Sequence, residues 1–291
     1  MKLGTILTAM VTPFDARGEL DAREGARLAA WLVDRGNDGL VVAGSTGEGM
    51  TLSNGERACL CAAVKEAVGD RAAVILNAGT NDTRASVAAA REARAAGADA
   101  ILAVVPYYNK PAQSGMLAHF GAIADATDLP VVVYNIPGRT CANVLPETLM
   151  ELSRRHPNIA GVKESSGDLK QIAMLLRERP EGWRVWCGDD HLFLPCLAMG
   201  ADGVVGVASH LCSEEYRRIY DAYRAGRVEE AARIHLSLVP LFDALFAATN
   251  PIPVKWAMNR VVFAAGACRL PLDAMPQALA DRLGPLIEPY R

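Results

Sequence analysis

The sequence predicts an α/β fold, a (β/α)8 barrel with a C-terminal helical extension, on three observations. Eight short runs rich in Val, Ile and Leu recur up to residue 207. They are unbroken apolar runs rather than alternating ones, as parallel strands covered by helices must be. A stretch with helical spacing lies between each run and the next, and eight strictly alternating βα units favour a closed barrel over an open, doubly wound sheet.

The first strand is expected over 4–11. The helix after it falls within LDAREGARLAAWLVDRG, where Asp21 reads as the N-cap, Glu24 completes a capping box three residues on, and the helix ends near Gly36. The second strand, 39–43, leads into GSTGEG and a helix over 53–68. A third strand over 73–78 and a helix over 83–96 reach AAGADA, a helix-end, turn and strand-start design that DRGNDG and AMGADG repeat. The fourth strand, 100–105, precedes PYYN and a helix over 114–127; the fifth, 131–134, precedes YNIPGRT and a helix over 146–154. Strand six, 159–163, runs into KESSGD and a helix over 168–178. Strand seven, 184–187, runs into GDD and a helix over 191–199. Strand eight, 203–207, is followed by a helix over 213–225. The strand runs then stop, and helices are expected over 227–247, 253–265 and 276–288. This divides the chain into a catalytic barrel over 1–225 and a helical domain over 226–291, with no low-complexity linker between them.

Of the 291 residues 51% are hydrophobic and 22% charged, the profile of a chain that buries one large core. The formal net charge of −3 and the lack of Lys/Arg runs give nucleic acid and anionic membranes nothing to bind, so small molecules are the expected partners. No window approaches 18 consecutive apolar residues, and neither export nor membrane insertion is expected. The seven cysteines are odd in number, lack a CxxC pair and mostly sit in apolar segments, which suits reduced core thiols in a cytoplasm. The five histidines (His119, His156, His191, His210, His235) show no HxH or HxxxH spacing, so no metal is expected. GSTGEG lacks the GK[ST] ending of a phosphate loop and does not fit GxGxxG, so no nucleotide cofactor is expected either.

In a barrel of this kind chemistry gathers where strands end. Lys163 ends the sixth strand. It reads either as a snorkelling or ion-paired lysine, with Glu164 as partner, or as a Schiff-base nucleophile, because burial makes an ammonium give up its proton more readily and the free amine attacks ketones. GSTGEG offers the Ser45 and Thr46 hydroxyls and backbone N–H groups in a turn sharpened by glycines, a nest suited to a carboxylate or else a plain turn. Tyr134 ends the fifth strand, where a phenol can pass protons. Arg139, five residues on, presents a fork that holds a carboxylate. Asp189 and Asp190 form an acidic doublet that reads either as paired catalytic carboxylates or, standing just before the short helix at 191, as its cap, and the cap is the favoured reading.

Taken together, GSTGE, PYYNKP, YNIPGRT, GVKESSGD, GDD and NPIPVKWAM, in this order and over essentially the whole chain, resemble the dihydrodipicolinate synthase and N-acetylneuraminate lyase superfamily of class I aldolases. The resemblance implies a TIM barrel with a C-terminal helical extension, usually a tetramer of tight dimers, with pyruvate as the imine partner and no cofactor. It implies Lys163 as the imine-forming lysine, Tyr134 as the acid/base above the imine and Thr46 as the grip on the pyruvate carboxylate. Ser45 and Tyr108 match the rest of a hydroxyl relay, Tyr108 reaching in from the neighbouring subunit. Val205 matches the position whose carbonyl lies near the imine. Arg139 points to the synthase branch, whose incoming aldehyde, L-aspartate 4-semialdehyde, carries a carboxylate. Ser45, where most such synthases have threonine, leaves open a paralogous aldolase or dehydratase for a 2-keto-3-deoxy sugar acid. Relatives inhibited by lysine carry His and Glu where this chain has Asn54, Arg57 and Ala85, so weak or absent lysine inhibition is expected.

Overall fold

Strands β1 (Ile6–Ala9), β2 (Gly39–Val42), β3 (Ala73–Asn77), β4 (Ala100–Val104), β5 (Val131–Asn135), β6 (Ile159–Glu164), β7 (Arg184–Cys187) and β8 (Gly203–Gly206) pair in parallel in that order, and β8 closes on β1. The structure is a computed structural model and describes residues 3–261 and 263–291. Around the barrel run helices α1 (Ala22–Asp34), α2 (Asn54–Val68), α3 (Thr83–Ala93), α4 (Gln113–Ala124), α5 (Pro137–Thr140), α6 (Pro146–Arg155), α7 (Leu169–Glu178), α8 (Phe193–Ala198) and α9 (Ser209–Arg224). Three more follow: α10 (Val228–Leu245), α11 (Ile252–Val261) and α12 (Gln277–Ile287).

Each strand is buried on both faces, which is why its sequence does not alternate. Residues such as Leu7, Val41, Ile75, Leu102, Val132, Trp186 and Val205 fill the barrel interior. Their chain neighbours, among them Ile6, Leu40, Val74, Ile101, Val133 and Val204, join the larger core beneath the helices. That outer core continues into Leu238, Phe242, Val254, Met258 and Leu283, so the last three helices pack on the barrel's own hydrophobic layer.

Local differences from expectation have local causes. Asp21 does cap α1 by accepting from the Glu24 N–H, but the box is not closed. The Asp21 N–H is already bonded to the Pro13 carbonyl, and the Glu24 carboxylate turns to Arg27 instead. The capping box forms on α2, between Ser53 and Glu56. β6 extends one residue beyond Lys163, to Glu164. α9 begins at Ser209 and kinks at Cys212, earlier than the expected 213. The helix expected over 253–265 ends at Val261; residue 262 lies outside the described residues. Beyond it the Ala265 carbonyl takes the Phe14 N–H, and the Asn259 side chain closes a turn onto Gly266. α5, inside YNIPGRT, was not anticipated: Pro137 sits at its first turn, where a missing N–H costs nothing.

Candidate active site

Lys163 is only 5% exposed, and its strand position decides what it touches. The register pairs Tyr134 with Lys163 and Lys163 with Trp186, so these three side chains point into the barrel at its C-terminal end. The Lys163 Nζ stands 4.3 Å from the centroid of the Tyr134 ring. Glu164, one residue on, points the other way, which removes it as an ionic partner. Its buried carboxylate instead accepts from the Asn135 amide at 3.0 Å, the Gln171 amide at 3.0 Å and the Ser166 N–H at 2.7 Å. Burial pushes the Glu164 carboxyl up, and these bonds pull it back. Behind the wall, then, Asn135 and Glu164 tie together the two strands whose adjoining residues, Tyr134 and Lys163, face inward. Just past the end of β7, a Cβ at Gly188 would lie 3.0 Å from the Lys163 Cε and 1.9 Å from the Ser165 Oγ, so the lysine stem runs past a position only glycine fills without a clash.

GSTGEG after β2 folds into a tight turn. Its Gly44 carbonyl accepts from the Gly49 N–H at 3.0 Å, and a Cβ at Gly49 would come within 1.9 Å of the Ala43 carbonyl oxygen. Thr46 is buried, and its Oγ1 accepts from the Asn250 amide at 2.9 Å. Ser45 lines a cavity of about 330 Å³ with Asn77, Tyr107, Tyr134, Arg139 and Asn250. Arg139 lies in α5 and donates to the Asn250 carbonyl at 3.1 Å, so Asn250 joins the threonine and the arginine. Its own Oδ1 is buried without a partner. Tyr134 belongs to both groups, since it lines the cavity and covers the lysine amine.

Not every expected residue gathers here. Tyr108 is 88% exposed, with a left-handed φ of 72°, and points away from its own chain's cavity, which Tyr107 lines instead. Val205 sits in the barrel interior with Tyr134 and Trp186. The acidic doublet divides: Asp189 accepts from the His191 N–H as a cap, whereas Asp190 is buried. Asp190 accepts from the Val207 and Ala208 N–H groups and the Tyr216 hydroxyl, anchoring the chain after β8. Asp190 is therefore a corrected expectation, since its carboxylate holds a neighbouring loop instead of capping a helix. Asn250, Glu48, Asn77 and Tyr107 were missed. The NPIP, PYYN and GSTGEG motifs contain Asn250, Tyr107 and Glu48, and no motif contains Asn77. Among the described residues no group of three or more His, Cys, Asp and Glu is arranged to hold a metal, and no helix is long and apolar enough to cross a membrane.

A model of the dihydrodipicolinate synthetase family matches residues 2–288. The chain belongs to this family. The 4-hydroxy-tetrahydrodipicolinate synthase of Moorella thermoacetica is 51% identical over 272 residues, spanning 94% of this chain and 93% of that one. Its counterpart from Synechococcus elongatus is 48% identical over 285 residues, spanning 96% and 95%. The crystal structure of DHDPS from Cyanidioschyzon merolae with lysine bound superposes with a TM-score of 0.96 at 43% identity, covering 97% of this chain and 96% of that one. Dihydrodipicolinate synthase from Bacillus anthracis gives 0.96 at 39% identity, covering 99% and 98%. The dihydrodipicolinate synthetase match runs past the barrel into α12, so the last three helices belong to the family's common chain.

Proposed function

We propose that this chain is a lyase that condenses pyruvate with L-aspartate 4-semialdehyde to give 4-hydroxy-tetrahydrodipicolinate through an imine on Lys163. The observation that carries the reading is a buried lysine amine against the ring of Tyr134, a ring that also lines a cavity shared with the Ser45 hydroxyl and Arg139. The amine adds to the keto carbon and water leaves, giving the imine. Tyr134 takes a methyl proton, and the enamine so formed attacks the aldehyde carbon, whose oxygen is protonated through the hydroxyl relay. The substrate's own amine then displaces the lysine nitrogen, closing the ring and freeing Lys163.

Thr46 holds the pyruvate carboxylate, Ser45 belongs to the hydroxyl relay, the Val205 carbonyl lies beside the imine, and Arg139 holds the carboxylate of the semialdehyde bidentately. Tyr108 completes the relay from a neighbouring subunit, in keeping with its exposure on its own chain. The working form in this reading is a cytoplasmic homotetramer built of tight dimers. Initial rates with pyruvate plus aspartate semialdehyde, measured beside cleavage of a panel of 2-keto-3-deoxy sugar acids, test the reaction. Faster turnover of any panel member would replace it with the paralogous aldolase that Ser45 leaves open.

Regulation follows from the same comparison, because the Cyanidioschyzon merolae relative was crystallised with lysine. In this chain Ala85 offers no carboxylate to an effector's ammonium. Arg57 is buried, with its Nη2 committed to the Gly49 carbonyl at 2.6 Å. Lysine added to the assay is expected to leave the initial rate nearly unchanged; a steep fall would refute this.

A further inference from the structure

Glu48 and Lys255 stand 207 positions apart in the chain and meet at 2.7 Å, each side chain 1% exposed. The other Glu48 carboxylate oxygen accepts from the Arg269 N–H at 2.7 Å. The Lys255 Nζ lies 4.0 Å from the centroid of the Phe14 ring, and the Arg269 guanidinium carbon packs on the same ring at 4.2 Å. The Arg269 N–H that bonds Glu48 is the backbone's; the Arg269 guanidinium itself donates to the Gly18 and Thr51 carbonyls and to Glu56. Desolvating two charges costs so much that a buried pair stabilises a fold no better than apolar residues of the same size. Stability alone is a poor reason for this one.

Its location supplies a better reason. Glu48 lies two residues past Thr46 with a left-handed φ of 51°, and its N–H is folded back onto the Ser45 carbonyl at 3.2 Å. Pinning the Glu48 side chain therefore pins the turn that carries both hydroxyls. The stretch that pins it, around α11, also sends Asn250 to the Thr46 hydroxyl and contributes Pro271 and Leu272 to the cavity wall.

We infer that Glu48 and Lys255 are positioning residues for the keto-acid carboxylate: their buried ion pair lets the segment after the barrel set the shape of the Ser45–Thr46 turn. This rests on the reading of that turn as the carboxylate grip. The test is the full-length double variant Glu48→Gln/Lys255→Met, which leaves no unpaired charge, measured beside Thr46→Val. The double variant is expected to raise the KM for pyruvate by about 10-fold or more, with kcat at saturating pyruvate and the KM for the aldehyde within about 3-fold of the parent. Thr46→Val is expected to raise the same KM. A folded double variant with lowered thermal stability but unchanged pyruvate KM, beside a raised value in Thr46→Val, overturns the positioning role and leaves the grip standing. An unchanged KM in Thr46→Val overturns the grip and the inference with it. If the double variant does not fold, Glu48→Gln alone is held to the same criterion.

Discussion

Arg139 shows how much chemistry one side chain can carry at this site. It stands at the cavity wall with one donor on the Asn250 carbonyl, which fixes the direction of its fork. In the proposed reaction that fork binds the carboxylate of the incoming aldehyde and nothing on pyruvate. Charge-assisted bonds are worth roughly 1.5–3 kcal/mol each, so Arg139→Ala is expected to raise the KM for the semialdehyde by about 10- to 100-fold and to leave that for pyruvate nearly unchanged. Steady-state kinetics with each substrate varied in turn separate the two, and a loss confined to pyruvate would contradict the assignment. Lys163 and Tyr134 were legible in the sequence because each is a polar residue closing an apolar run, and Ser45, Thr46 and Arg139 because they are polar residues in the loops that follow such runs. Lys255 was not, because it lies in an ordinary helical pattern and its partner is 207 residues away. Tyr107 and Tyr108 could not be ranked from PYYN alone, since which of them faces the cavity depends on the positive φ at residue 108.

At the scale of elements, the site depends on β5 and β6 staying in register, and the Asn135–Glu164–Gln171 cluster behind them holds it. Glu164→Gln would set an amide donor against the Asn135 and Gln171 amides. The buried donors left unpaired are expected to lower stability by about 1–3 kcal/mol, read as a shift in the urea unfolding midpoint, together with a fall in kcat as Tyr134 and Lys163 lose their alignment. A variant as stable and active as the parent would show that the cluster does not hold the strands. The eight strands and most helices were readable because periodicity survives without knowledge of packing. Ends were less so. The capping box at Asp21 failed because Pro13 had already taken the N–H it needed, and the helix after Asn250 stops short because Phe14 pairs with Ala265; both partners belong to another part of the chain.

For the molecule as a whole, closure of β8 on β1 carries a pH dependence through His210. Its Nε2 accepts from the Val11 N–H at 3.0 Å, its Nδ1 faces the Val207 carbonyl at 2.8 Å, and the ring is fully buried. Both nitrogens are satisfied only by the neutral ring, and burial brings its pKa down from 6.5 to about 4. The folded state therefore resists a proton that the unfolded chain accepts. This contribution is fully present above about pH 6.5 and is lost as the pH falls towards about 4, by an amount on the order of 3 kcal/mol. Following the His210 ring by NMR checks it: the ring should remain neutral down to about pH 4, and a midpoint near 6.5 would contradict the linkage. The central claim is that the barrel shields one amine beneath Tyr134 for covalent work. Borohydride reduction in the presence of pyruvate, followed by peptide mapping, tests it most directly: the account predicts a single stable adduct at Lys163, and label at any other lysine, or none at all, would contradict it.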